Sequence, residues 1–342
     1  MSPPFSLLAG SQSLRGGQLK PIDLTVAVWG EYHLGVFLNL TLAALLSPGN
    51  LPSLKGRLLI VTRPEDIETF KRHPLMQKAS QVIEIAVISY EVKSEDSYRE
   101  RYTIHTRMHK VAIDRSIKDG HMSAVIAGDM ILADGYCKAL MRWAEEGKRL
   151  VLGIGLRAGI ESAGQYLING MKDGTMTITP RQLVAVGLDH MHPINQASTW
   201  GEPYFSRMPY NILFPTGDGV VAHCFGLTAI LMDCNERALN EGLAVDHDMA
   251  RFFDKSEIYT VTDSDECMFC EVASITEWWP IFTRHPASPR GVARWAESQV
   301  CESMWGNFEH SLRFHTSDIG PHWAEVELTA QGVVDNIKAC RG

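Results

Sequence analysis

Three apolar runs alternate with two helix signatures in the first ninety residues, and this alternation restricts the fold more than any other feature. Asp23 to Trp29 (DLTVAVW), Arg57 to Thr62 (RLLIVT) and Val82 to Ser89 (VIEIAVIS) read as strands. Each is an apolar run rather than a polar/apolar alternation. Tyr32 to Leu46 reads as the first helix, closed by the turn-forming stretch Ser47-Pro48-Gly49-Asn50-Leu51-Pro52. Pro64-Glu65-Asp66 opens a second helix, and Lys71, Arg72, His73 and Pro74 end it. Strands of this kind are buried on both faces, which requires a mainly parallel sheet covered by helices. Ligands of such sheets bind at the C-terminal strand ends. Here those ends are Trp29-Gly30-Glu31 and Thr62-Arg63.

The pattern continues with a helix over Ile104 to Lys118. Ile104, Met108, Val111 and Ala112 form its apolar face, and Arg107, Lys110 and Asp114 lie together on another. Ser123 to Leu132 (SAVIAGDMIL) reads as a strand that admits Asp129 partway, followed by a helix over Tyr136 to Glu146 and a strand over Arg149 to Ile154. The second half is less regular, with a helix at Pro180 to Leu188 and strands at Val220 to Phe225 and Ile258 to Thr262. A chain of 342 residues suits one large α/β domain or two fused lobes. We divide it into a loose arm (1–20), a ligand-binding half (21–160) and a second half of the same domain (161–342).

Composition narrows the function. At 45% hydrophobic and 21% charged, the chain is globular rather than disordered. A net charge of −8 gives no general attraction for nucleic acid. Seven scattered cysteines, an odd number, read as reduced thiols and point to the cytoplasm. The N-terminal stretch lacks the pattern of a secretory signal, and no run reaches the ~20 apolar residues of a membrane helix.

Several groups carry candidate chemistry. An ionised carboxylate in an apolar strand is costly unless paired or bound to a cation, so Asp129 is a candidate for a divalent ion or a sugar hydroxyl. Asp134-Gly135 reads as a turn. In Asp246-His247-Asp248, two carboxylates one residue apart suit a metal or a general base. Asp263-Ser264-Asp265-Glu266 reads as a hydrated loop. His105 and His109 have the four-residue spacing of zinc ligands, but Thr106 stands where a metalloprotease has Glu, so they read as a surface pair. His315 and His322 are late candidates for a metal or phosphate. Cys267-Met268-Phe269-Cys270 has no second ligand pair and reads as incidental thiols. Gly153-Ile154-Gly155-Leu156-Arg157-Ala158-Gly159 follows a strand and is expected to open a helix, yet its third glycine is one place late for a dinucleotide fingerprint.

Taken together, VAVWGE, LLSPGNLP, VTRPED, the basic-faced helix around Arg107 and VIAGDMILADG resemble the GT-A-type nucleotide-sugar glycosyltransferases over residues 22 to 160, with a weaker echo to about 320. The resemblance implies a GT-A-like, Rossmann-like fold with an irregular acceptor-side C-terminal lobe. It implies transfer of a sugar from a nucleotide-diphosphate donor to a glycan, lipid-linked or small-molecule acceptor. Trp29, Gly30, Thr62, Arg63, Arg107 and Lys110 would then contact the nucleotide, and Asp129 with His315 would hold Mn²⁺ or Mg²⁺. Asp246 or Asp248 would activate the acceptor, and Trp200, Tyr204, Trp278 and Trp279 would stack on sugar rings. The first acid of the family's D-x-D motif falls at Ala127. That departure admits a catalytically silent nucleotide-sugar or glycan-binding protein. The glycine loop at 153 admits an NAD(P)-dependent oxidoreductase. A homo-oligomer is compatible with each reading.

Overall fold

The structure is a computed structural model and describes residues 19–92, 98–242, 249–276 and 282–342. The described strands are β1 (Ile22–Ala27), β2 (Gly56–Thr62), β3 (Glu84–Ser89), β4 (Met122–Ala127), β5 (Met130–Leu132), β6 (Leu150–Gly153), β7 (Leu156–Gly159), β8 (Asn211–Pro215), β9 (Gly219–Cys224), β10 (Thr228–Met232), β11 (Ile258–Thr260), β12 (Phe269–Ala273) and β13 (Leu312–His315). Seven of them form a central sheet in the order β11-β6-β10-β4-β1-β2-β3. β10 runs antiparallel to both neighbours, and the remaining pairs are parallel. Every residue of β1 is buried, as an apolar run flanked on both faces demands. On one face Leu34, Phe37 and Leu38, from the helical stretch Glu31–Leu45, pack with Leu24, Val26 and Ile60. On the other, Ile104, Met108 and Ala112 of the helix Tyr98–Asp119 pack with Ala27, Leu59 and Val61. The protein is a mixed α/β fold with a mainly parallel, helix-flanked sheet, the α/β class expected from the sequence.

Two local expectations change. The apolar run 123–132 is not one strand. It breaks at Gly128-Asp129 into β4, in the central sheet, and β5, in a second sheet of order β5-β12-β7. A Cβ on Gly128 would lie 2.9 Å from the Val28 side chain, so glycine permits the close approach of this turn to the strand end beside it. The break carries Asp129 out of the strand interior to the sheet's C-terminal edge. The glycine loop at 153 does not open a helix either. It joins β6 to β7, two strands of different sheets. Gly155 is required by packing, since a Cβ there would sit 2.2 Å from the Phe269 carbonyl oxygen. A phosphate-binding turn leads from a strand into a helix N-terminus, so this loop lacks that geometry.

The second half contributes β10 and β11 to the central sheet. It also builds a third sheet, β13-β9-β8. Phe225, Trp305 and Phe308 pack there with Val292 of Pro289–Gln299 and Trp323 of His322–Ala339. Among the described residues, no helix is long and apolar enough to cross a membrane.

Candidate ligand cavity at the C-terminal edge of the sheet

The C-terminal ends of β1 and β4 open into a cavity of about 590 Å³. One side is the segment after β1, Trp29 to His33, and another is the turn Ala127-Gly128-Asp129. The first turns of the helix Tyr98–Asp119 supply Arg101, Tyr102, His105, Thr106 and His109. Arg63 enters from the end of β2, and Arg157 and Glu271 from the second sheet. The lining thus includes three arginines, Arg63, Arg101 and Arg157, and three acidic residues, Glu31, Asp129 and Glu271. Trp29, Tyr32 and Tyr102 add flat aromatic surface.

Local sequence explains how these groups are held. Gly30 has φ 77° and ψ 149°, a region essentially restricted to glycine, and its N–H donates to Asp66 Oδ2 at 3.1 Å. The kink turns the chain from β1 into its helix and leaves Trp29 and Glu31 on the cavity rim. Nothing lies within 4 Å of a Cβ built on Gly30, so the cost of Gly30→Ala is backbone strain alone. The expected loss of stability is about 1–3 kcal/mol in urea unfolding, with weaker ligand binding from a displaced Trp29. Across the cavity, the Asp129 carbonyl oxygen accepts the Val272 N–H at 2.9 Å, which ties the turn to β12. In parallel register, Glu271 of β12 pairs with Arg157 of β7. The Arg157 Nε donates to Glu271 Oε2 at 2.7 Å, and Nη2 donates to the same oxygen.

His105 and His109 are a cavity-wall pair rather than a surface pair. His109 is fully buried, its Nε2 lies 3.3 Å from His105 Nε2, and the His105 ring sits 6.1 Å from that of Trp29. Burial, reinforced by His105, holds the His109 imidazole well below the usual histidine range. The unfolded chain therefore takes up a proton before the folded one does. The stability linked to His109 is complete above about pH 6.5 and is lost progressively below it. His109→Leu is expected to flatten the fall in stability between about pH 6.5 and 5, measured by urea unfolding across that range.

The expected site residues separate into groups. Trp29, Gly30, Arg63 and Asp129 line one cavity. Thr62 is buried at the end of β2 and does not line it. Arg107 is exposed outside it, and the Lys110 Nζ donates to the Gly242 carbonyl oxygen at 2.7 Å. His315 lies with Asp263 and Asp265 rather than lining the cavity with Asp129. These three present ligand atoms within 4.8 Å of one another. Its Nε2 is 2.8 Å from Asp263 Oδ1, and its Nδ1 is 2.7 Å from the Ser317 carbonyl oxygen. Asp265 also pairs with Arg181 at 2.8 Å. Asp246, Asp248, Trp278 and Trp279 lie outside the described residues. Trp200 packs against the third-sheet core. Cys267 and Cys270 are buried thiols, and burial pushes Cys270 up to about 12.

Arg157 and Glu271 were missed as site residues. Each interrupts a short apolar strand, LRAG and FCEVA, as Asp129 interrupts its own run. A charge inside an apolar strand was the signal that could have found them.

No protein-family model matches the chain, and no curated protein matches it. Among solved structures, the chain is similar to TarS of S. aureus (residues 1–349), with a TM-score of 0.38, 10% identity and coverage of 94% of this chain and 71% of that one. It is also similar to a Bacillus anthracis protein described as a glucose-1-phosphate thymidylyltransferase, in complex with sucrose. There the TM-score is 0.25 at 12% identity, over 40% of this chain and 55% of the other. Both likenesses are too distant to carry an argument about function.

Proposed function

We propose that the protein is a cytoplasmic glycosyltransferase that moves a sugar from a nucleotide-diphosphate donor to an acceptor hydroxyl in glycan or surface polysaccharide synthesis. The observation that carries the reading is the cavity at the C-terminal edge of the parallel sheet, with its aromatic rim, three arginines and Asp129. Aromatic faces suit a nucleobase or sugar ring, and planar guanidiniums suit phosphate oxygens. Transfer breaks the bond between the anomeric carbon and the diphosphate oxygen. A bond to the acceptor oxygen forms, and the acceptor proton passes to a base, for which Asp246 and Asp248 remain the candidates. Charge on the departing diphosphate is what the site must stabilise.

A divalent ion, when bound, would add positive charge at the diphosphate. Asp129 offers it a hard oxygen donor and Ala127 offers none; of the other two carboxylates in the lining, Glu271 is engaged by Arg157 and Glu31 lies on the segment after β1. A separate donor set of chemistry suited to a divalent ion is Asp263, Asp265 and His315. Ala127 in the lining also favours a second reading, a silent protein that binds the nucleotide sugar or a glycan without turnover.

The test is thermal denaturation with UDP, GDP, CDP, NAD and NADP, each with and without Mn²⁺, followed by assay of the matching sugar nucleotide. A ligand that binds only the folded state raises the transition by mass action. One nucleoside diphosphate is expected to raise it, and its sugar nucleotide to be turned over. Binding without turnover would favour the silent reading. A shift with NAD or NADP alone would contradict both.

A further inference from the structure

Resting on the transferase reading, we propose that Arg157 is the protein's own cation for the diphosphate leaving group, and that Glu271 is the positioning residue that presents it. Three arginines line the cavity, but they are not held alike. Arg101 is an exposed side chain near the start of a helix. Arg63 follows a strand end and pairs with the exposed Glu65 at 3.7 Å. Arg157 alone of the three lies within a strand, in register with a carboxylate on the adjacent strand. Its side chain is 24% exposed against 18% for Arg63, so burial does not separate the two; the partners do, Glu271 being 26% exposed and held in strand register, and Glu65 63% exposed. Glu271 offsets part of the charge, so what Arg157 offers an arriving anion is the N–H donors outside that pair, already oriented and needing no reorganisation when charge develops.

The position also fits. Glu271 lies opposite Met130 in the antiparallel pairing with β5, and the next residue, Val272, holds the Asp129 carbonyl. The same strand therefore fixes both the Asp129 turn and the Arg157 guanidinium. Glu271 engages Nε and Nη2 and so orients a planar group with five N–H donors. As the anomeric carbon–oxygen bond breaks, its electron pair moves onto the bridging oxygen. The diphosphate gains negative charge, which Arg157 meets with N–H donors while no proton changes hands. Position 127, which supplies no carboxylate to a metal, leaves more of this charge for a fixed cation to meet.

The test is the ratio of affinities for a nucleoside diphosphate and the matching monophosphate, measured by calorimetry on the full chain. The nucleoside is whichever of uridine, guanosine and cytidine the protein binds, and inorganic pyrophosphate is included as a competitor. The wild type is expected to prefer the diphosphate by about 10-fold or more, and Arg157→Gln to reduce that preference to about 3-fold or less with monophosphate binding unchanged. Pyrophosphate competition should weaken in parallel. Glu271→Gln should lower the ratio by about 3-fold, because the guanidinium stays but loses its orientation. An unchanged ratio in Arg157→Gln would overturn the proposal and leave the transferase reading standing. Absence of any nucleotide binding in the wild type would overturn both. Should Arg157→Gln not fold, Arg157→Lys decides: it keeps the charge without the planar fork, so a ratio lowered about 3-fold supports the proposal and an unchanged ratio overturns it.

Discussion

Asp129→Asn is expected to lower sugar-nucleotide turnover by about 100- to 1,000-fold while leaving the unfolding midpoint close to that of the wild type. The turn at Gly128-Asp129 ends β4 at the sheet edge where ligands of parallel sheets bind. Its position is set by backbone, through the Val272 N–H on the Asp129 carbonyl and the close packing of Gly128 on Val28. Asparagine keeps the shape and these backbone bonds and removes the charge. The loss should fall on turnover and on any Mn²⁺ enhancement of nucleotide binding. Initial rates of nucleoside diphosphate release, with a urea melt as control, check it. A variant retaining a third or more of the activity would remove Asp129 from the site.

Asp23→Ala is expected to be the most destabilising single change outside the hydrophobic core, at about 3–5 kcal/mol. Asp23 is completely buried near the start of β1, at the opposite end of the strand from the cavity. Arg57 Nε and Nη2 donate to its two oxygens at 3.1 and 2.6 Å, and Ser116 Oγ donates at 2.9 Å. The His121 Nδ1 lies 2.9 Å from Oδ1. Burial pushes the carboxyl up, but bonds from Arg57, His121 and Ser116 outweigh it and leave it below the ordinary range. Removing the carboxylate leaves the largely buried Arg57 guanidinium with Asp119, at 2.8 Å, as its remaining carboxylate partner. The pH dependence has a definite sign. The contribution of Asp23 is present above the unfolded value of about 4 and is lost as pH falls through the lower folded value. Urea unfolding at pH 7 and across pH 5 to 2.5 checks both parts. The variant should have a shallower acid limb, and an unchanged midpoint at pH 7 would show that the buried Asp23–Arg57 pair does not hold this end of the sheet.

The central sheet was legible because β1 and β2 are apolar runs, and a run buried on both faces has few alternatives; β3, also an apolar run, is instead the edge strand, and none of its residues is buried. The C-terminal ends of those runs then pointed to Trp29, Gly30 and Arg63, which line the cavity. Asp129 was legible as an anomaly, although the break that places it, Gly128 against Val28, depends on a contact 100 residues away in sequence. What was not legible depends on longer pairing. Arg157 meets Glu271 across 114 residues, and His315 meets Asp263 across 52. Local pattern carries no information on such register. Helix periodicity likewise placed Arg107 and Lys110 on one face, but it could not tell that this face turns from the cavity, with Lys110 committed to Gly242. The His105 and His109 spacing was visible, while the burial of His109 under Trp29's neighbour was a property of the assembled wall.

A nucleoside diphosphate is expected to bind at the C-terminal edge of the parallel sheet. Hydrogen–deuterium exchange of the full chain, with and without the diphosphate that raises its melting transition, tests this most directly. Slowed exchange is expected in peptides covering 28–33, 101–109, 127–130 and 156–158. Protection confined to the third sheet and the C-terminal helix, with these peptides unchanged, would contradict binding at that edge.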